Sequence, residues 1–191
     1  YIIAKVAGKS FFFKPRVMTC IPVGITSVEK RAVLEATMQA GVSKTFLIEE
    51  PLAAALGAGL DIVEPSGKLV VDIGGGTTDI AILSLGGVVD DASIRVGGDK
   101  FDDAIARRIK KQYNVLIGER TAEEIKIQIG TVVPGGEVIK MPVPGRHPIN
   151  GLPNTITATT EDTMKALEEP VGTMISKVRS VLEKCPPELS A

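Results

Sequence analysis

The chain has no tryptophan, one histidine and two cysteines, and aromatic residues make up only 4% of its 191 residues. Cys20 and Cys185 are too few for a disulfide framework or a zinc site, and they fit a reducing compartment. So few aromatic rings disfavour a base-stacking platform for nucleic acid. The formal net charge of -1, from 22 basic and 23 acidic residues, lacks the basic excess of a nucleic-acid-binding domain, so no nucleic-acid partner is expected.

Long apolar runs are also lacking. No stretch approaches the roughly 18–20 apolar residues of a membrane-spanning helix, and the amino terminus has no secretory-signal pattern. Apolar residues make up 44% and charged residues 24%, which is ordinary globular usage and argues against intrinsic disorder. The length predicts one domain or two small lobes.

What the chain does contain is glycine, with 20 residues, and alternating strand and helix patterns that predict an α/β fold. The predicted strands cover 16–23, 45–48, 68–73, 79–85, 88–96, 137–143 and 154–159. The predicted helices cover 26–40, 52–60, 97–113, 121–130 and an apolar-striped tail from 164 to 185 that Pro170 starts or kinks. The strands between 68 and 96 are predicted to form a β-meander.

Local signals refine these bounds. Thr26 with Glu29, and Thr121 with Glu124, have the spacing of capping boxes that open helices. Pro51 is typical of a first helical position, which predicts Glu50 as a helix N-cap. Residues 144–148, Pro-Gly-Arg-His-Pro, are predicted to form a surface loop by composition.

The segment most informative about chemistry is residues 72–79, Asp-Ile-Gly-Gly-Gly-Thr-Thr-Asp, between two predicted strands. Three glycines let backbone N–H groups approach an anion without interference from Cβ atoms, and threonine hydroxyls donate to phosphate oxygens. Asp72 and Asp79 bracket the turn and suit a hydrated Mg²⁺, which prefers few carboxylates and several waters. A plain glycine-rich hairpin is the alternative interpretation. A Walker A loop is excluded because no Gly-Lys-Ser/Thr follows, and a Rossmann fingerprint because the loop joins two strands.

This segment resembles the second phosphate loop of the actin-like ATPases, and the chain as a whole resembles the bacterial MreB/Mbl family. Five further segments, at 13–17, 48–51, 97–102, 117–123 and 185–189, carry the resemblance in family order. The resemblance implies an actin-like, ribonuclease-H-like α/β fold of two lobes with an inserted small subdomain. It assigns residues 1–59 to the first large subdomain, 60–99 and 165–191 to the second, and 100–164 to the inserted one.

The resemblance also implies ATP and Mg²⁺ as cofactors and gives roles to individual residues. Glu50 matches a catalytic glutamate that orients the attacking water, and Asp72 matches the acidic residue that holds the Mg²⁺ water shell. The expected phosphate cradle is Gly74, Gly75, Gly76, Thr77 and Thr78, with Asp79 as a second metal-side carboxylate.

The residues expected to bind the adenosine part of the nucleotide are Glu123, Glu124 and Lys126. Glu123 and Lys126 match residues that contact ribose and base, and Glu124 stands where the family pattern has arginine. A first phosphate loop and a Gly-Gly-Gly adenosine loop are not found in the sequence. The chain is therefore expected to be an internal piece of a longer protein, with little ATPase activity of its own.

The function expected of the parent is an ATP-dependent filament that organises peptidoglycan synthesis and sets rod shape. Its expected partners are further copies of itself, the inner face of the cytoplasmic membrane and the cell-wall elongation machinery. Two alternatives are a monomeric chaperone-type ATPase or sugar kinase of the same superfamily, and an inert relative that binds nucleotide without turnover.

A membrane contact is expected at Phe11, Phe12 and Phe13. Side chains of consecutive residues diverge, so at least one of the three rings should be exposed. Four cations flank the rings, at Lys5, Lys9, Lys14 and Arg16, and no acidic residue occurs between them, which suits an anionic leaflet. The resembled family uses a hydrophobic loop at this place for membrane attachment. The alternative is that the rings pack beneath the strand predicted at 16–23.

Overall fold

A computed structural model describes residues 2–7 and 14–189. The strands are β1 (Arg16–Ile21), β2 (Lys44–Glu49), β3 (Lys68–Ile73), β4 (Thr78–Ser84), β5 (Gly87–Ile94), β6 (Lys140–Arg146) and β7 (Pro153–Thr159). The helices are α1 (Ile2–Ala7), α2 (Ser27–Gln39), α3 (Glu50–Gly57), α4 (Gly98–Tyr113), α5 (Glu119–Ile129) and α6 (Thr160–Leu182), followed by a 3-10 turn at Pro187–Leu189.

The described residues form two compact units. The first contains residues 2–7, 14–72, 79–93 and 181–189, and the second contains 73–78 and 94–180. The division into subdomains at residues 59/60, 99/100 and 164/165 stays a prediction from the resemblance.

In the first unit, β1 and β2 pair in parallel, in a register that runs from Arg16 opposite Lys44 to Ile21 opposite Glu49. Helix α2 connects them, as a parallel pair requires. The predicted capping box at its start is confirmed. The Glu29 N–H donates to Thr26 Oγ1 at 3.3 Å, and the Thr26 N–H donates to Glu29 Oε2 at 2.9 Å.

The predicted meander is also confirmed as a three-stranded sheet in the order β3-β4-β5. All seven residues of the central strand, β4, are buried. The two-residue turn Leu85-Gly86 has φ values of 51° and 79°, the pair of positive φ angles that matches the twist of a tight hairpin. Ala81 and Leu83 of β4 pack with Ala55 of α3 in the core of this unit.

The second unit is built from α4, α5, the antiparallel β6–β7 pair and most of α6. One apolar core joins these elements, and its buried members are Ile105, Ile109, Ala122, Ile125, Ile129, Val143, Ala158 and Leu167. Helix α6 continues through Pro170, which lies inside it rather than at its start.

Three local predictions were wrong. Helix α5 begins at Glu119 with Gly118 as its N-cap, so Thr121 lies inside the helix and makes no capping box with Glu124. Helix α3 has Glu49 as its N-cap, and Glu50 is its first residue. The segment predicted as a loop at 144–148 is in part strand, because β6 pairs with β7 as far as Arg146. Proline is tolerated there because some backbone N–H groups of an edge strand have no partner strand, so the N–H that proline lacks is not needed.

Candidate functional site

The glycine turn, residues 74–77, lies in the second unit between β3 and β4. The Gly74 N–H donates to the Thr77 carbonyl at 2.9 Å, which closes the turn. The next hydroxyl along the chain, on Thr78, is buried and donates to the Val96 carbonyl at 2.6 Å. This bond anchors the carboxyl side of the turn and places the Thr78 hydroxyl inside the protein.

The start of α4 holds the other side of the turn. The Gly98 N–H donates to the Gly74 carbonyl at 3.0 Å, and the Asp99 N–H donates to the Gly75 carbonyl at 2.8 Å. Helix amino termini normally present such N–H groups to capping side chains or to anions. Here the carbonyl groups of the turn occupy two of them, so the turn and the helix start form one rigid backbone structure.

This contact determines the direction of the remaining N–H groups. All described peptide bonds are trans, so the N–H of each residue points opposite to the carbonyl of the residue before it. With the carbonyls of Gly74 and Gly75 directed at α4, the N–H groups of Gly75 and Gly76 point away from the helix. Both glycines are exposed, and a Cβ atom on Gly76 would meet nothing within 4 Å. Two adjacent N–H groups that both point away from the helix, with open space beside Gly76, are a binding arrangement for an anion.

Three carboxylates come together in the first unit, at Glu50, Asp72 and Asp79. Burial raises the pKa of Glu50, and the negative charges of Asp79 and Asp72 raise it further, in that order. Glu50 lies at the start of α3 and is half-buried, Asp72 lies near the end of β3, and Asp79 is only 2% exposed. A carboxylate with a raised pKa is a better proton acceptor, which suits the water-orienting role predicted for Glu50.

These carboxylates also bear on the expected Mg²⁺. Among the described residues, no three His, Cys, Asp or Glu side chains are arranged to enclose a metal ion. Mg²⁺ usually keeps several waters and needs only one or two protein carboxylates. The oxygens of Asp72 and Asp79 are hard donors of the kind that Mg²⁺ prefers, so the residues present fit the ion, and the site stays a prediction.

A groove of about 810 Å³ lies between α4 and α5. It is lined by Asp99, Asp102, Asp103, Ala106, Ile117, Glu119, Arg120 and Glu123. Acidic walls repel phosphate but accept hydrogen bonds from hydroxyl groups, so this α4–α5 groove suits the sugar side of a nucleotide. Glu123 lines the groove, whereas Glu124 is directed to Arg120, with 3.4 Å between Oε1 and Nε.

Lys126 is already engaged within the protein. Its Nζ donates to an Asp102 carboxylate oxygen at 2.9 Å and to the Gly98 carbonyl at 3.3 Å. The sequence did not point to Asp102 or to Asp99, whose carboxylate would lie 3.4 Å from a Cβ atom on Gly75. The spacing of Asp99 and Asp102, three residues apart at the start of a helix, was the available signal, because it places both on one face.

The three phenylalanines predicted at the membrane, Phe11, Phe12 and Phe13, lie outside the described residues. The strands that follow carry exposed cations. The Arg16 guanidinium carbon lies 5.5 Å from the centroid of the Phe46 ring, and the Lys44 ammonium nitrogen lies 4.8 Å from it. Among the described residues, no helix combines the length and apolarity that crossing a bilayer requires.

Comparison with known proteins gives a consistent result. The model of the MreB/Mbl protein family matches residues 1–191. The cell shape-determining protein Mbl of Bacillus cereus is 51% identical over 191 residues, which cover 100% of this chain and 57% of that protein. The cell shape-determining protein MreB of Escherichia coli is 48% identical over 192 residues, which cover 100% of this chain and 55% of that protein. The chain thus spans little more than half the length of these relatives.

Solved structures agree. MreB 5 of Spiroplasma citri bound to AMPPNP has a TM-score of 0.92 and 36% identity, over 100% of this chain and 57% of that one. The MamK double helical filament has a TM-score of 0.78 at 23% identity, over 98% of this chain and 56% of that one, and shows the fold alone. The predicted actin-like α/β fold is confirmed.

Proposed function

This chain belongs to the MreB/Mbl family of cell shape-determining proteins, and on that premise we propose that the complete protein is an ATP-dependent actin-like filament protein that determines rod shape. The observation that carries the nucleotide part is the glycine turn, whose Gly75 and Gly76 N–H groups are directed outwards by the contact with α4. Two structures of Spiroplasma citri MreB5, at 36% and 38% identity, hold AMPPNP and ADP, which supports an adenine nucleotide as the ligand.

The glycine turn binds the phosphates in this proposal. Gly75 and Gly76 donate their N–H groups, and Gly74, Thr77 and the anchored Thr78 shape the turn. Donors that are already oriented lose little entropy on binding and stabilise the charge that develops during phosphoryl transfer.

The carboxylates supply the remaining chemistry. Asp72 and Asp79 would hold a hydrated Mg²⁺, and the ion would supply positive charge that neutralises the phosphates. Glu50 orients a water molecule and accepts its proton, a role that its raised pKa favours. Glu123 accepts hydrogen bonds from the ribose in the α4–α5 groove. We propose that ATP hydrolysis is slow, because the nucleotide state then controls when filaments assemble and disassemble.

Assembly, attachment and cellular role are proposed for the complete protein as well. Copies of the chain associate into filaments on the inner face of the cytoplasmic membrane, attached through Phe11, Phe12 and Phe13. The cations nearby favour an anionic surface at about 1 kcal/mol each. The filaments organise the cell-wall elongation machinery, and thereby peptidoglycan synthesis along the side wall.

Sedimentation of the complete protein tests this proposal. With Mg²⁺ and ATP the protein should pellet as polymer, and with ADP it should stay largely in the supernatant. A protein that stays in solution with ATP but turns it over with unfolded peptide or with sugar is instead a chaperone-type ATPase or a kinase.

One substitution tests the metal-side carboxylate, with ATP binding measured by calorimetry. Asp72→Ala should weaken Mg²⁺-dependent ATP binding by about 10-fold, or about 1.4 kcal/mol. Asp91→Ala removes an exposed carboxylate from β5 of the same unit and serves as the control, with ATP binding expected at the parent value. Equal affinities for parent and Asp72→Ala would remove Asp72 from the site.

A further inference from the structure

Lys126 is held by three acceptor atoms of α4. Its Nζ lies 2.9 Å from both carboxylate oxygens of Asp102, and the two side chains are only 23% and 15% exposed. The exposed pair on the same helix, Lys100 with Asp103, has a separation of 3.9 Å and side chains that are 55% exposed. Water screens the attraction between Lys126 and Asp102 less than the attraction in the exposed pair, so the Lys126–Asp102 pair keeps its geometry more firmly.

The third acceptor of Lys126 connects this pair to the glycine turn. The Gly98 carbonyl, which accepts from Nζ at 3.3 Å, belongs to the same peptide group as the Asp99 N–H. That N–H donates to the Gly75 carbonyl at 2.8 Å. The Gly75 carbonyl in turn shares a peptide group with the Gly76 N–H, one of the two outward-directed donors.

A continuous hydrogen-bond chain therefore runs from an ammonium group through two peptide groups to the Gly76 N–H. Hydrogen bonds in series polarise one another, and a positive charge at the donor end strengthens every later donor in the chain. The final N–H points to the exposed side of the turn, where it has open space beside it.

We propose that Lys126, fixed by Asp102, is a positioning residue for phosphate, which orients and polarises the Gly76 N–H without touching the ligand itself. This role rests on the proposed binding of phosphate by the glycine turn. It differs from a direct contact between Lys126 and the nucleoside, since it acts on the phosphate end of any nucleotide or polyphosphate.

Three ligands distinguish the two roles in the complete protein: ATP and inorganic triphosphate, each with Mg²⁺ and measured by calorimetry, and adenosine, measured by NMR titration. Lys126→Gln and Asp102→Asn should each weaken ATP and triphosphate binding by a similar factor of roughly 10, within the usual range of coupling between sites. Adenosine binding should stay at the parent value in Lys126→Gln, whereas Asp102→Asn is compared for ATP and triphosphate alone, because Asp102 also lines the α4–α5 groove. The double variant should bind no more weakly than Lys126→Gln alone, because both changes break one chain.

Two further variants serve as controls. Lys100→Gln removes one ammonium from an exposed pair of α4, and it should bind all three ligands as the parent does. Lys126→Arg keeps the charge and should restore most of the lost affinity. The amide proton of Gly76, observed in glycine-labelled protein, should shift upfield in Lys126→Gln and stay in place in Lys100→Gln, which a general loss of stability would not produce.

Each other result has a definite meaning. If Lys126→Gln weakens adenosine and ATP equally and leaves triphosphate unchanged, Lys126 contacts the nucleoside and the positioning role is wrong. If the parent binds ATP and triphosphate and both variants match it, this inference fails while the proposed function stands. If the parent binds neither ATP nor triphosphate, the proposed function itself fails.

Discussion

Gly97 lies so close to Gly74 that a Cβ atom on Gly97 would stand 2.5 Å from the Gly74 carbonyl oxygen. The same atom would stand 2.6 Å from the carbonyl oxygen of Gly75. The φ of Gly97 is -156°, an extended conformation open to any residue, so space alone requires glycine here. The start of α4 and the glycine turn thus meet backbone to backbone, and this contact sets the direction of the N–H groups of the turn.

The first prediction follows from this contact. Gly97→Ala should push the turn away from α4, lower the free energy of unfolding by about 1–3 kcal/mol and weaken ATP binding at least about 10-fold. Gly118→Ala is the matched control, since Gly118 is the N-cap of α5 and a Cβ atom there meets nothing within 4 Å. Chemical denaturation and calorimetry measure the two effects. Equal behaviour of both variants would contradict the close contact.

The second prediction concerns the raised pKa of Glu50. The folded protein disfavours the charged form of Glu50. The stability that protonated Glu50 contributes is therefore complete below the ordinary glutamate pKa of 4.5, and it is lost as the pH rises through the raised pKa of the folded state. Glu50→Gln should therefore raise the melting temperature at pH 7, and the difference from the parent should vanish under acid conditions. The same variant should slow ATP hydrolysis and spare ATP binding, because orientation of water matters mainly in the transition state.

Glu35→Gln is the control for this variant. Glu35 is an exposed residue of α2 in the same unit, and its side chain is 65% exposed. Its removal should leave both the melting temperature and hydrolysis near the parent values. A Glu50→Gln protein that is less stable than the parent at pH 7, or that hydrolyses ATP at the parent rate, would refute the assignment.

The third prediction concerns a hydrogen bond in the second unit, where the Tyr113 hydroxyl donates to Asp162 Oδ2 at 2.7 Å. Burial, together with the bond to Asp162 and its charge, raises the pKa of Tyr113 to about 12. The stability that this bond supplies is full below the ordinary tyrosine pKa of 10 and is lost as the pH rises through about 12. Tyr113→Phe should lower the free energy of unfolding at pH 7 by about 1.5–3 kcal/mol, as expected for a hydrogen bond to a charged group, because the Asp162 carboxylate that accepts the bond is buried.

Titration of tyrosine absorbance checks the pKa. The chain has two tyrosines, so Tyr1→Phe leaves Tyr113 as its single reporter. A Tyr113 midpoint near 10, or an unchanged stability in Tyr113→Phe, would show that the bond to Asp162 is weak in solution.

The fourth prediction concerns membrane attachment. Replacing Phe12 and Phe13 by Ser in the complete protein should abolish flotation of its filaments with anionic liposomes and leave ATP-driven sedimentation intact. Each buried ring contributes about 1.5–3 kcal/mol, and the filament multiplies the effect of many weak contacts. Ile149 and Leu152, which are 88% and 61% exposed, provide the control pair. Replacing this control pair by Ser should leave flotation unchanged. If the Phe12 and Phe13 variant also floats like the parent, those rings belong to the core and the proposed membrane contact is wrong.

Features that depend on neighbours along the chain could be predicted from local sequence patterns. The capping box of Thr26 and Glu29, the three strands from 68 to 94 and the alternation that makes an α/β fold all follow from local patterns. The glycine turn was recognisable because three glycines between two aspartates are rare without a reason. The family resemblance added the fold, because its motifs extend over nearly the whole chain.

Other features depend on how distant parts of the chain pack against one another. Thr121 and Glu124 have the same spacing as Thr26 and Glu29, yet Gly118 starts the helix earlier, so the motif lies inside it. Residues 144–146 have a loop composition and still form a strand, because β7 supplies partners for their backbone groups. Lys126 and Asp102 are 24 residues apart and meet only because α4 packs on α5. Such pairs depend on distances in space that no local pattern encodes, and for that reason the residues that orient the glycine turn emerged only from the folded chain.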